Sequence, residues 1–546
     1  MNPRIMPLYA GIIFFMFLAL YGCILTALFW IQIVQHPFYY QLAQRQHTIM
    51  FTELPPRAPI LDRTGTHFLA MNTEQVSAFV IPDNISDRTQ LDTILLHHFP
   101  TAYHRLREIV DKKFMYVQRR LSPEQINIIN HTACKDIYLL KEPGRYYPLN
   151  AASCIVGITD IDNNGLFGIE RAYNQQLIGT PTTVFLEKDA RPGNAYFIKT
   201  TVPGTAGSPV CLTLDSDLQF LADHALAESV AKLNAREGSV IIMDPDTGDI
   251  LAMVNVPCFD PQHTKSLDLD TTKVRAITQQ YEFGSVFKVF VALAALEEGV
   301  VTPDEIVDCQ NKTTGYVDGR RINTVHAHGA IPFKDVVALS NNIGIATVAK
   351  RLGDHLYDHY VRLGFGRKTG IPIAGESSGF VNPPYQWSKQ SVISLSYGYE
   401  VTATVLQIAL AFCLIARDGI PVHPRLVLSP LTIHQQSTTT LYSADTIAII
   451  KDILRRTTQY GTAQRAAIRG YIVMTKTGTA NMLEHGMYNK RKNRYTCAGI
   501  IQKGTYKRVI VTCLQESDRP NLFAATTAVP LFETIAEQML IAERML

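Results

Sequence analysis

Residues 8–34 carry no charged side chain. As a helix rising 1.5 Å per residue, such a run reaches about 40 Å, more than the roughly 30 Å hydrocarbon core of a bilayer. A segment of this kind constrains everything after it, because the following chain must then lie on one side of a membrane. Trp30, Tyr39 and Tyr40 fall where an interfacial aromatic belt is expected. Arg4 and the amino terminus supply positive charge on the short flank, which predicts that this end stays in the cytoplasm. Leu20-Tyr21-Gly22-Cys23 loosely resembles a lipoprotein cleavage site, and a cleaved signal peptide is the rival reading. The apolar run nevertheless continues past Cys23 to Trp30, longer than a signal-peptide core. An uncleaved anchor within residues 1–40 is predicted, with roughly 500 residues outside the cytoplasm.

Those residues are enough for two or three domains. The 546-residue chain is 47% apolar and has 51 Lys+Arg against 48 Asp+Glu, a net charge of +3. So small an excess does not suit a nucleic-acid protein. The 9 cysteines include no CxxC pair and the 16 histidines no HExxH, so no metal site is expected. An odd number cannot all pair with one another; most cysteines are read as small buried residues, with room for one disulfide.

Residues 41–205 read as strands and short helices without a catalytic cluster. Asp160-Ile161-Asp162-Asn163-Asn164 looks superficially like a calcium loop but lacks EF-hand spacing, and turns with satisfied side chains explain it. Arg63, Arg145 and Glu170 are expected in structural ion pairs. The Pro- and Gly-rich stretch 203–209 marks a boundary, giving segments 1–40, 41–205 and 206–546. Beyond it, residues 217–234 form an amphipathic helix, and Asp244-Pro245-Asp246-Thr247-Gly248-Asp249 joins two apolar strands in a hairpin. A helical block over 285–415 follows, then strand-like runs near 470–475, 496–501 and 508–513, and a helix over 531–545. The expected fold class is α+β, an antiparallel sheet covered by helices.

Three motifs carry chemistry. Gly284-Ser285-Val286-Phe287-Lys288 opens an apolar helix, which would put Ser285 at its start and Lys288 one turn on. Ser340-Asn341-Asn342 follows 55 residues later, and Lys476-Thr477-Gly478-Thr479 ends a strand 136 residues after that. Each motif alone is weak, and the chain contains decoys for two of them. Ser229-Val230-Ala231-Lys232 lies inside a helix, where a serine back-bonds to the preceding turn. Lys368-Thr369-Gly370 lies in a loop. Local context therefore selects Ser285 and Lys476. S-x-x-K, S-x-N and K-T-G in this order are known from penicillin-binding proteins and class A β-lactamases, with SDN as the usual middle element.

The roles fit together physically. Ser285 attacks a carbonyl, and Lys288 takes its proton if burial and Lys476 lower its pKa. Ser340 relays a proton to the leaving amine, and Asn342 holds Lys288 or a substrate amide. Lys476, Thr477 and Thr479 bind a carboxylate. Gly478 lets substrate lie along the strand edge. The N–H groups of Ser285 and Thr479 form an oxyanion hole.

With these residues the chain resembles the class B penicillin-binding proteins over nearly its whole length. Residues 57–65 are similar to that family's R-G-x-I-x-D-R-N-G, with Ala58 and Thr64 departing, and 157–170 to its G-x-x-G-x-E region. Arg275-Ala276-Ile277-Thr278, Gly375-Glu376-Ser377-Ser378-Gly379, Tyr397-Gly398-Tyr399 and residues 401–407 extend the likeness. Ser340-Asn341-Asn342-Ile343-Gly344, the G-E-S-S-G run and Ala528-Val529-Pro530-Leu531-Phe532 are most like the division-specific, septal branch; the elongation-specific branch is the near alternative. Phe283 and Val286 stand where the family usually has Pro and Thr, and Glu400 and Val405 where it usually has Gly and Pro.

The resemblance implies the penicillin-binding transpeptidase fold on an elongated pedestal or dimerisation domain. It implies a serine D,D-transpeptidase that needs no cofactor, takes stem peptides ending in D-Ala-D-Ala, and is inhibited by β-lactams. It further implies a membrane glycan polymerase and other division proteins as partners. A membrane-anchored β-lactamase and a non-catalytic division scaffold are the rivals. The basic run Lys490-Arg491-Lys492-Asn493-Arg494 is expected to be a solvated hairpin tip.

Overall fold

A computed structural model describes residues 6–53, 55–108, 114–132, 134–188, 196–264, 266–428, 438–484, 486–517 and 522–546. Arg4, the charge from which orientation was read, lies outside them. Two compact units result, one of Met1–Pro56 with Ile178–Gly207, the other of Arg57–Leu177 with Ser208–Leu546. The segment 41–205 is thus shared between the units.

The first unit contains the apolar helix Met6–Phe29, which continues as the π-helical turn Trp30–Val34 and the helix His36–His47. Residues Tyr9–Val34 are long and apolar enough to cross a membrane. Three antiparallel strands, Thr48–Glu53, Thr182–Lys188 and Tyr196–Val202, complete the unit.

The second unit is built on a five-stranded antiparallel sheet. Its order is Ile250–Val256, Glu237–Met243, Tyr506–Gln515, Met487–Lys503 and Ile472–Glu484. The helices Ser216–Leu233 and Ala528–Ala542 cover one face through Leu226, Val240, Ile510 and Phe532. The helices Lys288–Glu297 and Val405–Ala416 belong to the core on the other face. Residues 288–295 are all buried, as expected of a helix apolar all round. Thr404 and Gln407 cap the second of these helices with a reciprocal capping box. Gln407 Nε2 also donates to the carbonyls of Arg367 and Ser378, both at 2.8 Å.

A second, six-stranded sheet joins Val427–Leu428, Val210–Leu212, Ile60–Leu61, Phe68–Val80 and Met115–Gln118, with Tyr138–Tyr146 also paired to Phe68–Val80. Where it meets Gly168–Ala172, Glu170 is fully buried between Arg57 and Arg145, with Arg145 Nε at 2.7 Å. The ion pairs expected of Arg145 and Glu170 are present. Arg57, not Arg63, supplies the second cation; the Arg63 backbone N–H donates to the Leu214 carbonyl at 2.9 Å. Cys154 and Cys258 form a disulfide.

Glu400 has φ +61°, the left-handed region that disfavours a side chain and suits the glycine common in the resembling family. Its carboxylate also repels Glu282. We expect Glu400→Gly to raise the melting temperature, because relief of strain and repulsion, about 1–2 kcal/mol, exceeds glycine's added unfolded-state entropy of about 0.4–1 kcal/mol. Thermal unfolding measures this, and a lower melting temperature would contradict it.

Candidate active site

The turn before Ser285 is fixed from several sides. Tyr281 forms a two-bond backbone bridge with Ala403, at 2.7 and 2.9 Å. Gly284 has φ +55°, and a Cβ there would lie 2.9 Å from the Thr479 carbonyl, so glycine is required by conformation and by space. The chain then enters the 3-10 turn Gly284–Phe287 and the α-helix Lys288–Glu297. Ser285 is half-buried, whereas Lys288 is fully buried. Serine and lysine thus lie on consecutive helical segments, not on one α-helix.

Lys288, Ser340 and Lys476 converge. Lys288 Nζ donates to the Ser340 carbonyl at 2.5 Å and to its Oγ at 3.1 Å. Lys476 Nζ also lies 3.1 Å from the same Oγ and donates to the Thr477 carbonyl at 3.0 Å. Ser340 sits between the helices Phe333–Ala338 and Asn342–Leu352 with φ +59°, a strained conformation for a residue other than glycine. That backbone turns both its carbonyl and its hydroxyl toward Lys288. No carboxylate pairs with either lysine among the described residues. Burial, reinforced by the charge of Lys476, holds Lys288 well below the usual lysine range. Burial brings Lys476 down to about 7. A neutral Lys288 is the form that can accept a proton.

Lys476, Thr477, Gly478 and Thr479 lie on Ile472–Glu484, the edge strand of the five-stranded sheet, within the strand and not at its end as expected. An edge strand offers unpaired backbone groups to an extended peptide. A Cβ on Gly478 would lie 2.3 Å from the Phe283 carbonyl, so only glycine lets the strand approach the Ser285 turn. The Thr477 hydroxyl meets that of Thr462, and Thr479 Oγ1 accepts from Ala524 N at 3.1 Å. Each threonine hydroxyl is therefore oriented before any ligand arrives.

Of the two roles expected of Asn342, the hold on Lys288 is not formed: its amide donates to the Asn323 carbonyl at 2.6 Å, while Lys288 bonds to Ser340. Asn341 is the buried residue of the motif: its side chain caps the helix by accepting from Gly344 N at 2.9 Å, and its Nδ2 lies 3.2 Å from His328 Nδ1. A helix start needs such an acceptor, which explains Asn341 and leaves Asn342 at the helix surface. The decoys also have structural roles. Ser229 is within Ser216–Leu233 beside an exposed Lys232. Thr369 and Gly370 donate to the Glu376 carboxylate, closing a local turn.

The basic run is not uniformly solvated. Lys492 pairs with Glu484 at 2.5 Å, and Arg494 is buried against Tyr281, with its guanidinium carbon 3.9 Å from the ring centroid. Glu282 was also missed. Its carboxylate accepts from Glu400 N and Tyr488 Oη, each at 2.9 Å, just before the Ser285 turn. Period-2 alternation puts Arg494 on the face of Thr496 and Ala498, which was the available sign that it points inward. Among the described residues no group of histidine, cysteine and carboxylate side chains is arranged to hold a metal.

Residues 238–537 match the penicillin binding protein transpeptidase domain, and residues 52–212 the penicillin-binding protein dimerisation domain. The peptidoglycan D,D-transpeptidase FtsI of Buchnera aphidicola subsp. Baizongia pistaciae is 27% identical, over 89% of this chain and 87% of its own. FtsI of Escherichia coli K12 is 26% identical, over 98% and 93%. The crystal structure of penicillin binding protein 3 from Mycobacterium tuberculosis complexed with aztreonam superposes with a TM-score of 0.68 at 25% identity. That superposition covers 90% of this chain and 97% of that one.

Proposed function

The chain belongs to the penicillin-binding protein transpeptidase family, and on that premise we propose that Ser285 is its acylation centre. The protein is a serine-type peptidoglycan D,D-transpeptidase of septal wall synthesis and a target of β-lactams. The observation that carries the site assignment is the convergence of two fully buried lysines on one hydroxyl, Ser340 Oγ, beside the nucleophile turn.

That geometry supports the following course of reaction. Ser285 Oγ attacks the penultimate D-Ala carbonyl of a stem peptide lying along the 476–479 edge. Its proton passes to neutral Lys288 Nζ. The developing oxyanion is met by the backbone N–H groups of Ser285 and Thr479. The proton returns through Ser340 Oγ to the departing amine, the C–N bond breaks, and D-Ala leaves a Ser285 ester. An amine of a second stem peptide then attacks that ester, its proton travels the reverse path, and the cross-link forms as Ser285 is regenerated. Lys476, Thr477 and Thr479 hold the terminal carboxylate, and Asn342 offers its amide to the substrate backbone.

We assign residues 1–40 to the cytoplasmic tip and anchor, 41–205 to the pedestal and 206–546 to the transpeptidase domain. The amino terminus faces the cytoplasm and the catalytic unit lies outside. The Cys154–Cys258 disulfide supports that placement, since such bonds persist in oxidising compartments. A membrane glycan polymerase and other division proteins are the partners this role requires.

The test is the fate of the acyl-enzyme. With a stem peptide ending in D-Ala-D-Ala and an acceptor amine, the purified protein is expected to release D-Ala and form a cross-linked dimer. It is expected to hold a fluorescent penicillin as a long-lived adduct. Rapid release of hydrolysed penicillin would support a β-lactamase, and no adduct at all a scaffold.

A further inference from the structure

Arg494 lies outside the three motifs, 212 residues from the turn it touches. It is 7% exposed. Its Nη1 donates to the Glu282 carbonyl at 3.1 Å, and its guanidinium stacks on the Tyr281 ring. On its far side, Nε and Nη2 both donate to Gln515 Oε1, at 3.1 and 2.6 Å. Gln515 Nε2 then donates to Tyr281 Oη at 2.9 Å and to Glu237. The cation and its glutamine thus hold the ring, the phenol and the following carbonyl of the segment that leads into Ser285.

No carboxylate forms an ion pair with Arg494 among the described residues. The acid beside it, Glu237, is bound by Arg275 at 2.8 Å. A buried cation lacking a direct counter-ion is expensive, and an apolar side chain of similar volume would fill the space at lower cost. What an apolar side chain would lose is the simultaneous grip on Glu282, Tyr281 and Gln515, which needs a planar fork of donors.

We propose that Arg494 is a positioning residue for acylation, holding residues 281–283 so that Ser285 Oγ meets the Lys288–Ser340 pair in reactive register. Glu282 is held twice: its carbonyl by Arg494, its carboxylate by Glu400 and Tyr488. The turn is thereby tied to the strands Met487–Lys503 and Tyr506–Gln515 of the sheet that carries Lys476. Small displacements of a nucleophile cost rate steeply, roughly 100-fold for about 1 Å.

The proposal rests on Ser285 as the nucleophile, and labelling of the unaltered protein by fluorescent penicillin tests that reading separately. The ratio of variant to unaltered protein tests this one. Arg494→Lys keeps the charge but cannot fork across Glu282 and Gln515. Its acylation rate at saturating penicillin is expected to fall roughly 10-fold, and that of Arg494→Met roughly 100-fold. The dissociation constant of the non-covalent complex should stay within about twofold, because the donor-binding groups are untouched. A merely structural residue would lower the yield of folded protein without changing the rate per folded molecule. If Arg494→Met does not fold, Arg494→Lys decides. A rate for folded Arg494→Lys equal to that of the unaltered protein, or a loss confined to the dissociation constant, overturns the proposal.

Discussion

Ser285→Ala is expected to abolish covalent labelling by fluorescent penicillin, an effect of at least about 10³-fold, because no other group can form the ester. The decoy gives the internal control. Ser229 lies mid-helix beside an exposed Lys232, and alanine is the better helix former by about 0.5 kcal/mol. Ser229→Ala should therefore label fully and unfold at the same or a slightly higher temperature. Gel fluorescence after a fixed exposure reads both variants. Persistent labelling of Ser285→Ala would remove the assignment of the nucleophile, and with it the roles given to its neighbours.

Lys288→Met is expected to slow acylation by roughly 10²–10⁴-fold, the usual contribution of a positioned proton acceptor. The pH dependence follows from burial. Lys288 accepts a proton only when neutral, so acylation should rise with pH through a value well below the ordinary 10.5 of lysine and fall on acidification. Stability has the same sign. Between the folded and unfolded pKa values the unfolded chain binds more protons, so stability rises with pH there. For Lys476 that window runs from about 7 to 10.5. At neutral pH both lysines therefore destabilise the fold. Lys288→Met should leave the melting temperature unchanged or higher while activity collapses, as is common where a site is strained for function. Penicillin acylation from pH 5 to 9 together with thermal unfolding measures both halves. A large drop in melting temperature would mean that Lys288 serves the core instead.

Much of the site was legible because its chemistry is local in sequence. A serine three residues before a lysine at a helix start, and a K-T-G in a strand-like run, are recognisable without tertiary information, although the strand runs on past the motif to Glu484. The decoys were rejected on the same local grounds, and Ser229 and Thr369 occupy the settings those grounds describe. The middle motif was read less well. Which of two adjacent asparagines caps a helix depends on a one-residue offset, and here Asn341 caps while Asn342 points to Asn323. Arg494 was misread for a similar reason: a basic run predicts a solvated tip, while alternation along a strand can send one of its members into the core.

The amino-acid sequence by itself determined the apolar segment, the class of fold, the three motifs and the order in which they occur along the chain. These follow from periodicity, turn chemistry and residue type, all short-range properties. Only the tertiary structure decided what lies around the three motifs. Lys288 and Lys476 reach Ser340 across 52 and 136 residues, and Arg494 reaches Glu282 across 212. The pairing of Cys154 with Cys258, the left-handed turn at Ser340 and the depressed lysine pKa values arise only when those segments meet. Burial and proximity are properties of the packed chain, and they bring two lysines of lowered pKa onto one serine hydroxyl.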